Sequence, residues 1–394
     1  MNFNEILKPE IQKFIIENTG LDTNKLALKK NPFSQIEFKI LLNQIESRTK
    51  SKNKLPTWFN GNNIIYPTKI SIEQTSSEAT AKYKSEIVSG ESLIDLTGGF
   101  GIDDYYFSKK NDTIIHCEIN PELSKIVSHN FKQLNALNIN CIEGDSLKTL
   151  EKLNQKFSWI YIDPSRRNDA KGKVFMLKDC LPNVPDLQDT YLEYSDNILI
   201  KTAPILDISA GLQELKNVKQ IHVVAVDNEV KELLWIIEKK YNGEISIKTV
   251  NFTKQNKEVF DFNINSESKV NYDFPKKYLY EPNNAVMKSG GFNQIASFFS
   301  VYKLHKNSHL YTSDELIDFP GRAFQIEKKV NFSKKDMIEN FSNQKMNVTV
   351  RNFPDTVENI RKKWKIKDGG NQYCFFTTDK NENKIALICT KINF

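Results

Sequence analysis

Three glycines within four residues constrain this chain more than its composition does. They stand in DLTGGFGID (95–103), where Gly98, Gly99 and Gly101 follow the apolar run SLIDL and precede a helix-forming stretch. Without a Cβ the backbone turns tightly and lets a ligand approach closely, and the helix start that follows favours a polar or anionic group. Short apolar or β-branched runs then alternate with helical stretches: TIIHCE, INCIEGD, FSWIYID, NILIKT, IHVVAVD and EISIKTVNF. With SLIDL they make seven strands, joined by right-handed crossovers into a parallel, doubly wound α/β sheet buried on both faces. The last two runs, around 218–227 and 244–252, are expected to flank one helix, NEVKELLWIIEKKY, with Trp235 in the core.

At 394 residues the chain exceeds what one core usually serves. Residues 1–74 read as a helical domain, with Ile6, Ile11, Phe14 and Ile15, then Phe38, Leu41, Leu42 and Ile45 at helical spacing; the charged stretch SRTKSKNKLP is expected to be turn-rich and to end the helical run, and Trp58 and Phe59 follow as docking residues. The α/β domain takes 75–255, and polar, aromatic text at 256–320 forms a small insert. Residues 321–394 alternate strand and helix in the order βαβαββ and hold 15 Lys or Arg against 8 Asp or Glu. A basic module on a near-neutral body points to a polyanion such as RNA or DNA, the alternative being a solvated Lys-rich surface. No run approaches about 18 apolar residues, the first residues lack a basic head and apolar block, and the five cysteines include no CxxC pair. A cytoplasmic protein is expected. His305 and His309 are the only histidines at ligand spacing, but HKNSHLYTS reads as a turn, so no metal is expected.

A dinucleotide fingerprint starting at Gly99 would need glycine at 104, where Asp104 stands. The acid ending the first strand, Asp95, suits the ammonium of a methionine moiety better than a pyrophosphate, which favours S-adenosylmethionine over NAD. Glu118 ends the second strand, where a carboxylate accepts both ribose hydroxyls. Asp145 in EGDS is placed to accept from the adenine amino group, and Asp163 in IDPSRR points into the same crevice. Each acid alone could be a helix N-cap; four at successive strand ends define one site.

Over about residues 75–255 the order DLTGGFGID, HCEIN, EGDS and WIYIDPSRR resembles the motifs of class I S-adenosylmethionine-dependent methyltransferases. IEQTSSEATAKYKSEI resembles the segment that nucleic-acid methyltransferases close over the cofactor. The phrases YEPNNAVMKSGGF, SHLYTS, FPGRAF, VTVRNFP and DGGNQYCFFTT make the whole chain similar to a bacterial methyltransferase family with a ferredoxin-like insert and a C-terminal THUMP-like domain. The resemblance implies a Rossmann-like seven-stranded core, S-adenosylmethionine as cofactor, and RNA (tRNA or rRNA) as substrate. Carried onto this sequence, the cofactor residues are Thr75, Asp95, Thr97, Gly98, Gly99, Gly101, Glu118, Asp145 and Ser146. The catalytic group is Asp163, Pro164 and Arg166, and Arg167, Arg351, Arg361, Lys362 and Lys365 are expected on RNA.

DPSRR departs from two related patterns. Enzymes that methylate an exocyclic base amine follow the Asp-Pro pair with a second Pro and a stacking aromatic residue; here Ser165 and Arg166 stand there. Uridine C5 methyltransferases place a nucleophilic cysteine near the end of the next strand; here Lys201, Thr202 and Ala203 do, with Cys180 in the segment before. Methylation of a base nitrogen in RNA is therefore expected. The alternatives are methylation of a protein or small molecule, or an RNA-binding protein that binds the cofactor without turning it over.

Overall fold

Strand β1 (Gly90–Asp95) is paired in parallel on both sides, with β2 (Asn111–Glu118) and with β4 (Trp159–Ile162). Leu93 and Ile94 are fully buried, as a strand covered on both faces requires. The computed structural model describes residues 3–166 and 176–393. The chain divides into two units, residues 1–219 with 233–242, and residues 220–232 with 243–394.

In the first unit the strand order is β7-β5-β4-β1-β2-β3, with β3 at Ile139–Glu143, β5 at Asn197–Thr202 and β7 at Glu229–Glu238. All neighbours are parallel except β7, which runs antiparallel to β5. The parallel strands bring their carboxyl ends to one edge, which is where open α/β sheets bind ligands. The expected N-terminal helices are present, Pro9–Glu17 and Phe38–Lys54 among them, but the second runs on through SRTKSKNK, the stretch expected to be turn-rich. Trp58 is fully buried, its ring 5.0 Å from Tyr105 and 6.2 Å from Phe100. The Asn130 side chain bonds both backbone groups of Ile65, fixing the segment after Trp58 to the helix Pro121–Gln133.

The expected helix over NEVKELLWIIEKKY is a strand, β7, which runs antiparallel to β5. Asp227 and Asn228 take positive φ (49° and 63°), the geometry of a two-residue hairpin turn. Leu233 to Ile237 then face the core on both sides of the sheet, and Trp235 donates its indole N–H to the Thr202 hydroxyl at 3.0 Å. Burial on both faces erased the alternation that would have marked a strand.

In the second unit β6 (Val218–Val226) pairs in parallel with β8 (Ser246–Phe252), which pairs antiparallel with β9 (Lys257–Asn263). A separate seven-stranded sheet contains β10 (Tyr278–Pro282), β11 (Tyr302–Lys303), β12 (Tyr311–Ser313), β13 (Gly321–Asn331), β14 (Lys345–Val350), β15 (Lys367–Thr378) and β16 (Lys384–Ile392). Its order is β11-β12-β10-β13-β16-β15-β14. From β13 onward the expected βαβαββ order holds, with helices Lys334–Phe341 and Val357–Trp364 packed through Met337, Phe341, Ile360 and Trp364. Among the described residues no helix is long and apolar enough to cross a membrane.

Candidate active site

A cleft of about 500 Å³ opens at the carboxyl edge of the first unit's sheet. Thr75, Asp95, Thr97, Gly98, Gly99, Gly101 and Asp163 line it, as does Lys201. Two glycines are required by space. A Cβ on Gly98 would lie 2.2 Å from the His116 ring, and one on Gly101, whose φ is +74°, 2.5 Å from Phe131. Gly99 also has positive φ (+58°), and its N–H donates to Glu118 Oε2 at 3.0 Å while Asn120 N–H donates to Oε1 at 2.7 Å. The end of β2 is thereby fastened to the glycine turn. Asp95 Oδ1 accepts from Thr97 N–H (2.7 Å) and Oγ1 (3.0 Å), and Thr97 Oγ1 accepts from Asp163 N–H (2.7 Å). One hydroxyl thus ties the ends of β1 and β4 together.

Asp163 holds an ion pair with Lys201 Nζ at 2.5 Å. Sequence reasoning passed over Lys201. The signal was positional: β4 and β5 pair Ile162 with Ile200, so the next residue of each strand is also adjacent. Asp145 caps the helix Ser146–Leu153 by accepting from Lys148 N–H (2.9 Å), and Asp145, Ser146 and Glu118 are not among the residues lining the cleft. Pro164 is buried. The backbone of Arg166 pairs with Cys180, whose buried thiol donates to Met176 O; Arg167 lies outside the described residues.

Behind the glycine turn sits a second layer of charge, also unread in the sequence. Asp103 accepts from Ser76 Oγ (2.9 Å) and Tyr161 OH (2.8 Å) and pairs with the fully buried Lys84 at 3.2 Å, joining the helix Glu78–Ile87 to the turn. Asp104 Oδ2 meets His116 Nδ1 at 2.5 Å, both fully buried. With Asp95 these two form a group whose ligand atoms lie within 4.8 Å of one another, the spacing of a metal set. Burial pushes the Asp95 and Asp104 carboxyls well above the usual range and the His116 imidazole below its own. That favours neutral groups bridged by a proton.

The C-terminal cations are placed differently from the expectation. Arg351 pairs with the buried Glu281 at 2.7 Å, a carboxylate that also accepts from Arg322 Nε at 2.8 Å. Arg361 pairs with Asp368 at 2.5 Å. Lys362 is exposed on the helix, whereas Lys365 sits past its end with φ 53°. That left-handed cap takes Lys365 out of the helical spacing that would set it one turn beyond Arg361.

A ferredoxin-like domain family matches residues 278–320 and a THUMP domain-like family matches 321–391. A Porphyromonas gingivalis W83 protein, assigned as a methyltransferase, superposes with a TM-score of 0.87 over 99% of each chain at 30% sequence identity. The parallel sheet, reversed β7 and glycine turn after β1 define the class as a Rossmann-like methyltransferase fold. Within it, the chain belongs to the family of the P. gingivalis protein, which joins that fold to ferredoxin-like and THUMP-like segments. The GTPase Obg of Malacoplasma penetrans (strain HF-2) is 26% identical over 284 residues, which span 67% of this chain and 63% of that protein. This sequence contains no GxxxxGK[ST] phosphate loop, so the match carries no argument for nucleotide hydrolysis. An M. capricolum TrmK structure with S-adenosylhomocysteine matches at a TM-score of 0.32 over 41% of the chain, too slight to bear on function.

Proposed function

We propose that the protein transfers a methyl group from S-adenosylmethionine to a base nitrogen in RNA. The observation that carries this reading is that one cleft holds both the glycine turn and, at the end of β4, the Asp163–Lys201 pair. The residues fit the cofactor chemically. Burial disfavours the ionised Asp95 carboxyl, and an arriving ammonium would supply the missing counter-charge. The Glu118 oxygens each accept one backbone N–H, leaving a further lone pair on each for a ribose hydroxyl. Thr75, Asp145 and Ser146 would serve the remaining polar edge of the nucleoside.

When bound, the cofactor supplies a methyl group on a good leaving group, so the protein's task is positioning and exclusion of water. Asp163 would accept from the acceptor nitrogen and aim its lone pair, with Lys201 holding the carboxylate in place. Pro164 would stiffen that turn, and Arg166 and Arg167 would hold neighbouring phosphates. The THUMP-like match supports RNA as the substrate class.

Adding RNA to protein and cofactor should release S-adenosylhomocysteine, and nuclease treatment of the RNA should stop it. Asp163→Ala should lower turnover by roughly 10²–10⁴-fold, the range of a positioned proton acceptor, with calorimetric cofactor affinity kept within a few fold. Parallel loss of both would make Asp163 a cofactor or folding residue. Release driven by protein instead of RNA would overturn the substrate class.

A further inference from the structure

The C-terminal domain contains a groove of about 490 Å³, in the size range of ligand clefts. Phe332 and Trp364 line it, their ring centroids 6.4 Å apart and nearly perpendicular, and Ile338, 51% exposed, adds an apolar rim. Three lysines, with Ser333 and Ser342, complete the lining: Lys334 opens one helix, and Lys363 and Lys365 close the other. No acid lines the groove, and the three lysines form no ion pair among the described residues. Asp336 on the same helix is held by the Ser333 hydroxyl at 2.7 Å. Lys363 Nζ lies 5.1 Å from the Trp364 ring centroid and 5.9 Å from that of Phe332, so charge and aromatic surface are adjacent.

We propose that this groove binds an unpaired segment of RNA, one base lying against Phe332 and Ile338 at the edge of the buried Trp364, and the flanking phosphates on Lys334, Lys363 and Lys365. The proposal rests on RNA being the substrate class and adds where, and in which form, the strand is held. Charge complementarity selects a polyanion. The apolar surface between the cations selects one with exposed ring faces, since every base has a π-face to stack while a paired duplex offers only phosphates and groove edges. Of the cations that sequence reasoning assigned to RNA, Lys365 lines the groove; among the described residues Arg351, Arg361 and Lys362 do not, and the two arginines are engaged by Glu281 and Asp368.

The test uses the full-length protein with a fluorescent 12-nucleotide single-stranded RNA, the corresponding blunt RNA duplex, and anionic phosphatidylserine vesicles as competitor. The single strand should bind more tightly than the duplex. The triple variant Lys334→Ala, Lys363→Ala, Lys365→Ala should lose roughly 100-fold in affinity near 0.1 M salt, and its plot of log affinity against log salt should flatten by about 2, at roughly 0.7 per phosphate contact. Its S-adenosylmethionine affinity should equal that of the parent, which verifies folding. A 4-thiouridine version of the oligonucleotide should cross-link within 332–342 or 363–365. If the parent binds single strands and the triple variant keeps its slope, the groove is wrong while the RNA reading stands. If the parent binds neither RNA form, or vesicles displace the strand, the groove fails together with the substrate class.

Discussion

The cleft of the first unit and the groove of the C-terminal domain use charge in opposite ways. In the cleft Asp163 has Lys201, and Asp103 has Lys84, Ser76 and Tyr161, all at 2.5 to 3.2 Å. In the groove three exposed lysines stand around aromatic surface without an ion pair among the described residues. Desolvated, internally paired groups act over hydrogen-bond distances and are screened little by salt; exposed cations act over roughly the Debye length, about 8–10 Å at physiological salt. The difference separates recognition of a small ligand by prepared geometry from capture of a long polyanion by field.

The largest effect should appear where burial does most to set a charge. His222 on β6 is 4% exposed, and desolvation, with Lys248 nearby, brings its pKa down from 6.5 to about 3. The folded state therefore resists a proton that the unfolded chain takes up. The stability this confers is full above pH 6.5 and is lost toward pH 3, at a slope approaching ~1.4 kcal/mol per pH unit. Urea titrations of His222→Gln should show a flatter acid limb than the parent; identical limbs would break the burial half of the comparison. Next in size is Glu118→Ala, which should weaken S-adenosylmethionine binding by about 1.5–3 kcal/mol through loss of charge-assisted acceptors, with little dependence on salt. Calorimetry showing parental affinity would remove Glu118 from the site. The smallest effect belongs to Arg361→Ala. Because Asp368 already holds this guanidinium, the salt slope for RNA should change by less than the roughly 0.7 of one phosphate contact, and a full contact's loss in filter binding would show that the pair opens on RNA.

The glycine turn was legible because each glycine answers a local demand, tight space at Gly98 and Gly101 and a left-handed backbone at Gly99 and Gly101. Asp95 and Asp163 were legible because a parallel strand's end is a fixed place in the fold. Lys201 was not, since its role depends on the register between two strands separated by some 35 residues of sequence. Strand β7 was misread because Glu, Lys and Leu favour helix locally, whereas pairing with β5 decided the outcome. Counting cations located the basic domain but could not distinguish Arg351 and Arg361, already neutralised, from Lys363, already beside an aromatic ring.

The join between the ferredoxin-like and THUMP-like segments lies at residues 320–321 in sequence, yet hydrogen bonding does not stop there. β10 pairs with β13 from Tyr278–Gln325 to Pro282–Gly321, and a Cβ on Gly321 would lie 2.2 Å from Glu281 O. Glu281, on the earlier segment, also neutralises Arg322 and Arg351 of the later one. A chain cut at this point would carry a long unpaired edge open to strand addition by neighbouring molecules, together with two arginines deprived of their counter-ion. The two segments thus share one sheet, and a break at the seam where the two names meet would cost strand pairing and ion pairs together.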